Sequence, residues 1–238
     1  MRSNSLWMLF LLLTFLVTLP ISWWGMAQAD FFYSSLHDNI GIDKHIQRYA
    51  PHNRFNKLEF EKTTKVERLV LFNGVVTAIH NKGEGLDSLA YIRNSNQEPV
   101  NLFTKAEVIH LKDVANLLEK LKPVILAVLL FWLATMLWIN LKGIKLPSIK
   151  RFSLLALILF AVVFLILSVG PEKVFNQLHI WAFPDNHQWF FYYEDSLMST
   201  MMKAPDLFAY ISIIWGFLSI LLTVILLKSM HLFQHSRR

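Results

Sequence analysis

Residues 121–141 read LKPVILAVLLFWLATMLWINL, a run whose interior holds no charged side chain. A bilayer core needs about 20 mostly apolar residues in helical form to cross it, so this run predicts a membrane-spanning helix. The whole chain agrees with this reading, because 54% of its 238 residues are hydrophobic, more than in a typical soluble domain. We therefore expect an integral membrane protein.

Three other stretches have the same character: Leu6 to Met26, Phe152 to Val169, and Leu207 to Leu227. Together the four predict an all-α polytopic membrane protein, with four transmembrane helices and two helical extracytoplasmic loops. Ala27-Gln28-Ala29 follows the first stretch and is similar to a signal-peptide cleavage site. That stretch is long for a signal peptide, which favours a retained helix.

Five segments follow from these spans. They are the first transmembrane helix (1–29), an extracytoplasmic segment with amphipathic helices (30–120), two transmembrane helices joined by a basic cytoplasmic loop (121–169), a second extracytoplasmic loop (170–206), and the last helix with its basic tail (207–238).

Loop charges predict the orientation, because Lys and Arg concentrate on the cytoplasmic side of membrane proteins. The basic residues beside the spans are Arg2, Lys142, Lys145, Lys150, Arg151, Lys228, Arg237 and Arg238. We expect both termini in the cytoplasm of a bacterium, with the protein in its inner membrane. The acidic loop 170–206 and the segment 30–120 then lie outside. This distribution accounts for the net charge of +6, so no nucleic-acid partner is expected.

Two capping boxes place helices in the first outer segment. Thr64-Lys65-Val66-Glu67 predicts a helix that ends near Asn81-Lys82-Gly83, with Val66, Leu69, Val70, Val76 and Ile79 on its apolar face. Leu86 to Ile92 fits a short strand or irregular chain. Thr104-Lys105-Ala106-Glu107 starts a second helix, which continues into the span at 121–141.

Two histidines lie in apolar settings on these helices. His110 shares the apolar stripe of the second helix with Val114 and Leu117, and Glu107 and Asp113 flank it at one helical turn. His179 follows the third span, with Phe175 and Phe183 one turn away on either side. Four further histidines of the first outer segment, His37, His45, His52 and His80, are expected at solvated loop or helix-end positions.

At these residues the chain resembles a known family. Residues 103–114, FTKAEVIHLKDV, resemble the F-S-x-x-E-x-x-H-L/M-x-D-V pattern of lipoprotein intramolecular transacylases, and residues 175–183 with Trp189 are similar to that family's second motif. Residues 201–208, MMKAPDLF, depart from the family's L-F-P-E-x-F-W segment, and the stretch His37 to Lys57 has no counterpart in the family pattern.

The resemblance implies transfer of a fatty acyl chain from the glycerol of a diacylated lipoprotein to the amine of its N-terminal cysteine. It implies His110 and His179 as the catalytic pair, with Glu107 and Asp113 in support. No cofactor is implied. The partners are membrane lipids and bacterial lipoproteins. The aromatic and methionine-rich second loop suits acyl chains at the interface, through Trp181, Phe183, Trp189, Met198, Met201 and Met202.

The chemistry is reasonable without the resemblance. An acyl transfer from oxygen to nitrogen needs a deprotonated amine and a stabilised oxyanion, and a histidine with a pKa near ~6.5 suits the first task. A second histidine could protonate the leaving oxygen, polarise the carbonyl or carry the acyl group.

Three alternatives remain. The chain has no cysteine and nine histidines, so metal-dependent hydrolysis would rely on histidines and carboxylates, but no HExxH spacing occurs. A non-enzymatic envelope protein that binds a partner or lipid is the second alternative, and a relative of the family that acts on another lipid substrate is the third. A transporter is disfavoured, because no span carries a buried charge.

Overall fold

The structure, a computed structural model, describes residues 2–144, 161, 165 and 168–236. Its α-helices are α1 (Arg2–Ala27), α2 (Tyr33–Asn39), α3 (Ile42–Tyr49), α4 (Lys65–His80), α5 (Lys105–Leu141), α6 (Pro171–Ala182), α7 (Leu197–Met202) and α8 (Asp206–Ser236). Short 3₁₀ helices cover Asp30–Phe32, Ala50–His52, Phe60–Lys62, Leu86–Ser88 and Tyr193–Asp195. Strands β1 (Ala90–Ile92) and β2 (Pro99–Asn101) form an antiparallel hairpin in which Tyr91 pairs with Val100.

Within the described residues, three helices are long and apolar enough to cross a membrane: Leu6–Ala27, Lys105–Leu141 and Asp206–His231. They confirm the first, second and fourth predicted spans as apolar helices. The third predicted span, Phe152 to Val169, lies almost entirely outside the described residues. The fold class is confirmed as an all-α membrane protein, with one small hairpin added.

The described chain divides into two compact units. The transmembrane unit contains Met1–Trp24, Leu121–His179 and Trp215–Arg238. The loop unit contains Gly25–Lys120 and Ile180–Ile214. Each unit therefore combines segments that are far apart in the sequence.

Hydroxyl groups join α1 to α8 inside the transmembrane unit. Thr18 Oγ1 lies 2.8 Å from Thr223 Oγ1, and Ser22 Oγ lies 2.6 Å from Ser219 Oγ. All four side chains are buried. In a membrane, small hydroxyl residues allow helices to approach closely and to hydrogen-bond across their interface. We call these two hydroxyl contacts, Thr18–Thr223 and Ser22–Ser219, the hydroxyl ladder. It fixes the register of α1 against α8.

Helix α4 forms at its predicted bounds but buries a different face. Thr64 and Glu67 make both capping-box bonds, which confirms the predicted start. Val66 is 69% exposed and Val70 66% exposed, so the predicted apolar face is wrong at these two residues. The buried face instead carries Leu71, Phe72, Val75 and Ala78. Arg68 is buried on the same face, where it donates to Asp43 at 2.6 Å and to the Thr63 carbonyl at 2.7 Å.

Helix α7 lies in the core of the loop unit, and its six residues are all buried. Met198, Met201 and Met202 are part of this core, so the expectation that they contact acyl chains at the membrane interface is wrong. Tyr33 donates to the Met201 carbonyl at 2.7 Å, which ties α2 to α7. Methionine fills irregular gaps in a core without strain, and that is its role here.

The expectation of solvated histidines is also partly wrong. His37 is 2% exposed and packs edge-on against the Tyr33 ring. His45 lies between the rings of Tyr49 and Tyr193, and burial lowers its pKa to about 4. These two histidines therefore belong to the packing of the loop unit.

The hydroxyl ladder generates a prediction about stability. Ser219→Leu should lower the free energy of unfolding by about 1–3 kcal/mol, because the larger side chain does not fit at a fully buried interface. Thermal unfolding in detergent measures the loss. Ser229→Leu is the matched control, since Ser229 is exposed and bonds only to Ile225 of its own helix. Equal melting temperatures for the two variants would contradict a register role for the ladder.

Candidate active site

His110 occupies the second turn of α5 and is only 8% exposed. Its ring contacts two phenylalanines from the second loop: the centroid of Phe183 lies 4.9 Å away, and that of Phe191 lies 6.1 Å away. The helix thus holds one side of the imidazole, and aromatic rings cover another. The imidazole is therefore largely screened from water.

Asp113 pairs with His187, a histidine that belongs to neither of the two sequence motifs. His187 Nδ1 lies 2.6 Å from Asp113 Oδ2. Because a carboxylate only accepts, Nδ1 carries the proton and donates it, and the neutral ring then has its lone pair on Nε2. This is the carboxylate–histidine arrangement that prepares a general base in acyl-transfer enzymes.

The helix brings His110 and this pair together. His110 and Asp113 are three residues apart on α5, so their side chains are neighbours on one face. His187 lies in the turn after α6, where its N–H donates to the Pro184 carbonyl at 3.0 Å. Helix α5 therefore places His110 one helical turn from the carboxylate that holds His187. We call His110, Asp113 and His187 the histidine cluster.

Glu107 has a different set of partners. Its carboxylate is fully buried and accepts from the Thr104 N–H at 2.6 Å, from the Ser196 hydroxyl at 2.6 Å and from the Met198 N–H at 3.0 Å. Glu107 therefore caps the start of α5 and also anchors the start of α7. Its observed bonds are those of a residue that positions the chain around the site.

His179 belongs to the transmembrane unit. It lies in the last turn of α6, where Nδ1 is 2.8 Å from the Phe175 carbonyl and the ring packs on Phe175 at 4.0 Å. Burial lowers its pKa, and the bond to the Phe175 carbonyl partly opposes this effect. Neutral His179 thus donates from Nδ1 and keeps its lone pair on Nε2. Its catalytic role stays a prediction.

The predicted substrate-binding aromatics occupy three different environments. Phe183 is half-buried against the His110 ring. Trp189 is half-buried and meets Phe190 edge to face at 6.1 Å. Trp181, at the end of α6, is 75% exposed. The ring of Phe183 is in contact with His110, a member of the histidine cluster.

The sequence around His187 carries no motif that identifies it as a site residue. It stands in a turn, outside any helical stripe, and 74 residues separate it from Asp113. Its position just before the aromatic residues Trp189 to Phe191 could have indicated a site residue. No neighbouring residue, however, indicates that Asp113 is its partner. Among the residues that the structure describes, no group of three His, Asp or Glu side chains is arranged to hold a metal ion.

Comparisons with known proteins give a family match and two similar folds. The family described as lipoprotein intramolecular transacylase Lit matches residues 3–208. Two solved structures of the membrane-integral lipoprotein intramolecular transacylase Lit from Bacillus cereus, each with one histidine mutated, have similar folds. The histidine-to-arginine variant is 14% identical with a TM-score of 0.65, covering 99% of this chain and 93% of its own. The histidine-to-alanine variant is 16% identical with a TM-score of 0.64, covering 99% and 94%.

At these identities the two structures establish a common fold. A comparison with curated proteins gives no match.

The three bonds of Glu107 generate a prediction about stability. Glu107→Ala leaves one hydroxyl and two backbone N–H groups without their acceptor in a buried place, which should lower the free energy of unfolding by roughly 3 kcal/mol. Chemical denaturation in detergent measures the change. The control is Glu84→Ala, an exposed glutamate that accepts from the Asn81 side chain, for which a change within about 0.5 kcal/mol is expected. Similar losses in both variants would refute the anchoring role.

Proposed function

Since the chain belongs to the lipoprotein intramolecular transacylase family, it is a membrane-integral acyltransferase, and we propose that it makes lyso-form lipoproteins. In this reaction a fatty acyl chain moves from the diacylglyceryl group of a bacterial lipoprotein to the α-amino group of its N-terminal cysteine. The observation that carries the proposal is the Asp113–His187 pair one turn from His110 on α5.

The histidine cluster supplies the proton transfers that this reaction needs. The amine nitrogen attacks the ester carbonyl carbon, the carbon–nitrogen bond forms and the carbon–oxygen bond to glycerol breaks. The nitrogen gives up a proton, for which Nε2 of His187 is the proposed base, because Asp113 holds the other ring nitrogen protonated. The glycerol oxygen gains a proton, and His110 is the proposed donor.

The relative position of the two reacting groups accounts for much of the expected rate of acyl transfer. Donor ester and acceptor amine belong to one lipoprotein molecule, so the protein has to hold them in a reactive geometry, and such an arrangement alone is worth several kcal/mol. Phe183, which covers the His110 ring, is the proposed contact for the acyl chain nearest to the reacting atoms. Trp181 and Trp189 are proposed to bind the lipid further from them.

His179 is kept as the second candidate for the partner of His110. Its donated Nδ1 proton also leaves Nε2 as a basic nitrogen. We put His187 first because the Asp113 carboxylate that orients its ring lies one helical turn from His110 on α5.

We further propose that the protein lies in the bacterial cytoplasmic membrane with both termini in the cytoplasm. The basic residues that flank α5 and α8 support this orientation, and the loop unit would then face outward. A diacylated lipoprotein is anchored in lipid by its acyl chains, so its N-terminal cysteine would meet the loop unit at the outer leaflet.

The proposed reaction is tested by mass spectrometry of a lipoprotein's N-terminal peptide, from cells that make this protein or one of its single variants. The unaltered protein should yield N-acyl cysteine with one acyl chain left on glycerol. His110→Ala and His187→Ala should each slow the transfer by about 10²–10⁴-fold, the usual share of a general acid or base. His179→Ala should keep most of the rate.

His52→Ala serves as the control, because His52 is exposed and bonds to the Arg48 carbonyl. Loss of activity in His179→Ala with retention in His187→Ala would assign the partner role to His179. An unchanged diacylglyceryl cysteine in cells that contain correctly inserted, unaltered protein would refute transacylation of that lipoprotein and point to another lipid substrate or a binding role.

The proposed orientation can be tested directly because the chain has no cysteine. A cysteine introduced as Lys82→Cys, in the exposed turn after α4, should react with a membrane-impermeant maleimide in intact spheroplasts. Lys142→Cys, in the exposed turn after α5, should react only after the membrane is opened. The reverse labelling pattern would show the opposite topology.

A further inference from the structure

Two buried hydroxyl side chains hold helix α7 in place, and neither has a part in the proposed proton transfers. Ser196 precedes the helix and Thr200 lies within it, and neither side chain has exposed surface. The Ser196 hydroxyl accepts from the Ser199 N–H at 2.9 Å and donates to the Glu107 carboxylate at 2.6 Å. The Thr200 hydroxyl donates to the Tyr193 carbonyl at 2.7 Å. Helix α7 is therefore bound to α5 through Ser196 and to the segment before it through Thr200.

The segment held in this way carries Phe191, whose ring packs on the His110 ring with 6.1 Å between the centroids. Phe191 is 8% exposed, whereas its neighbours Phe190 and Tyr192 are 55% and 62% exposed. Phe191 is thus the one of these three aromatic residues that turns inward. Tyr193 is only two residues away, so the bond to its carbonyl limits how far Phe191 can move from His110.

These contacts form a closed path that begins and ends on α5. The path leaves α5 at Glu107, passes through α7 and the segment with Phe191, and returns to α5 at His110. Glu107 and His110 are one helical turn apart on the same helix. A shift of α7 against α5 therefore becomes a shift of Phe191 against the His110 ring.

Two further bonds hold the same segment, so its position does not depend on Thr200 alone. The Tyr193 hydroxyl donates to the Ala204 carbonyl at 2.6 Å. The Arg54 N–H donates to the Glu194 carbonyl at 2.8 Å. Loss of the Thr200 bond should therefore displace the segment slightly and leave the loop unit folded.

We propose that Thr200 is a positioning residue for acyl transfer, whose hydroxyl keeps Phe191 against His110 so that the imidazole stays oriented toward the glycerol oxygen that it protonates. This inference rests on the proposed function. A side chain at a reacting site keeps its orientation only when its neighbours lock it by packing. A misplacement of about 1 Å at the reacting atoms can cost on the order of 100-fold in rate, so a small retreat of Phe191 is enough to be measured.

The kinetic test removes the hydroxyl and keeps the shape of the side chain. Thr200→Val should lower kcat about tenfold and leave KM within about twofold, because the orientation of His110 changes while the proposed lipid contacts stay in place. Thr200→Ser retains the hydroxyl and should recover most of the loss. The substrate is a synthetic diacylglyceryl-cysteinyl peptide in detergent micelles, and mass spectrometry follows the N-acyl product.

Thr63→Val is the matched control, since Thr63 is a buried threonine of the same loop unit. Its hydroxyl donates to the Phe60 carbonyl at 2.6 Å and accepts from the Arg68 side chain at 2.9 Å. This variant should therefore lose at least as much stability and keep its kcat. Equal losses of kcat in the two variants would overturn the proposal, because general destabilisation would then explain both. A normal kcat in Thr200→Val would overturn it as well.

A double-mutant cycle tests whether Thr200 acts through Phe191. Phe191→Leu removes the ring that packs on His110 and keeps an apolar side chain in its place. Adding Thr200→Val to Phe191→Leu should lower kcat by less than about twofold further, since the contact that Thr200 holds is already lost. If the two losses multiply instead, Thr200 acts by another route and the proposal fails.

A labelling experiment separates this proposal from the proposed function, because it needs no substrate. The chain has no cysteine, so Phe191→Cys introduces a single thiol at a position that is 8% exposed. Adding Thr200→Val should raise the rate of its reaction with a maleimide about threefold or more, because the segment then opens more often, whereas adding Thr63→Val should not. If labelling rises in this way while even the unaltered protein transfers no acyl group, the hold of Thr200 on the segment stands and the proposed function fails. If acyl transfer occurs and Thr200→Val does not raise labelling, the positioning role fails.

Discussion

The carboxylate of Glu107 has no exposed surface and accepts from three hydrogen-bond donors. Burying a carboxylate is costly, and the cost is offset only if every donor is in place. The first turn of α5 and the start of α7 must therefore assemble together. Because α5 also carries His110 and Asp113, the geometry of the histidine cluster depends on the same assembly.

The two histidines of the cluster have different surroundings. The His110 ring packs against the rings of Phe183 and Phe191. His187 Nδ1 lies 2.6 Å from the Asp113 carboxylate, which orients the ring and sets which nitrogen carries the proton. The fold therefore gives the two imidazoles different partners, so that they can take different roles in the proposed transfer.

Much of the fold could be predicted because its signals are local. Apolar runs predicted α1, the second half of α5 and α8, and the capping box at Thr64 predicted where α4 begins. The buried face of α4 could not be predicted, because it includes the charged Arg68, whose partners Asp43 and Thr63 lie outside the helix. The methionines of α7 were likewise assigned to lipid, whereas α2 and the Tyr33 hydroxyl enclose them.

The sequence by itself determined that this is a helical membrane protein and that His110, Glu107 and Asp113 lie on one helix. Helical period and hydrophobic length are properties of neighbouring residues, and these the chain displays directly. Only the tertiary structure decided that His187 meets Asp113 across 74 residues and that Ser196 meets Glu107 across 89. Those contacts exist because a buried carboxylate must find donors wherever the fold brings them, and no local pattern records which donors they are.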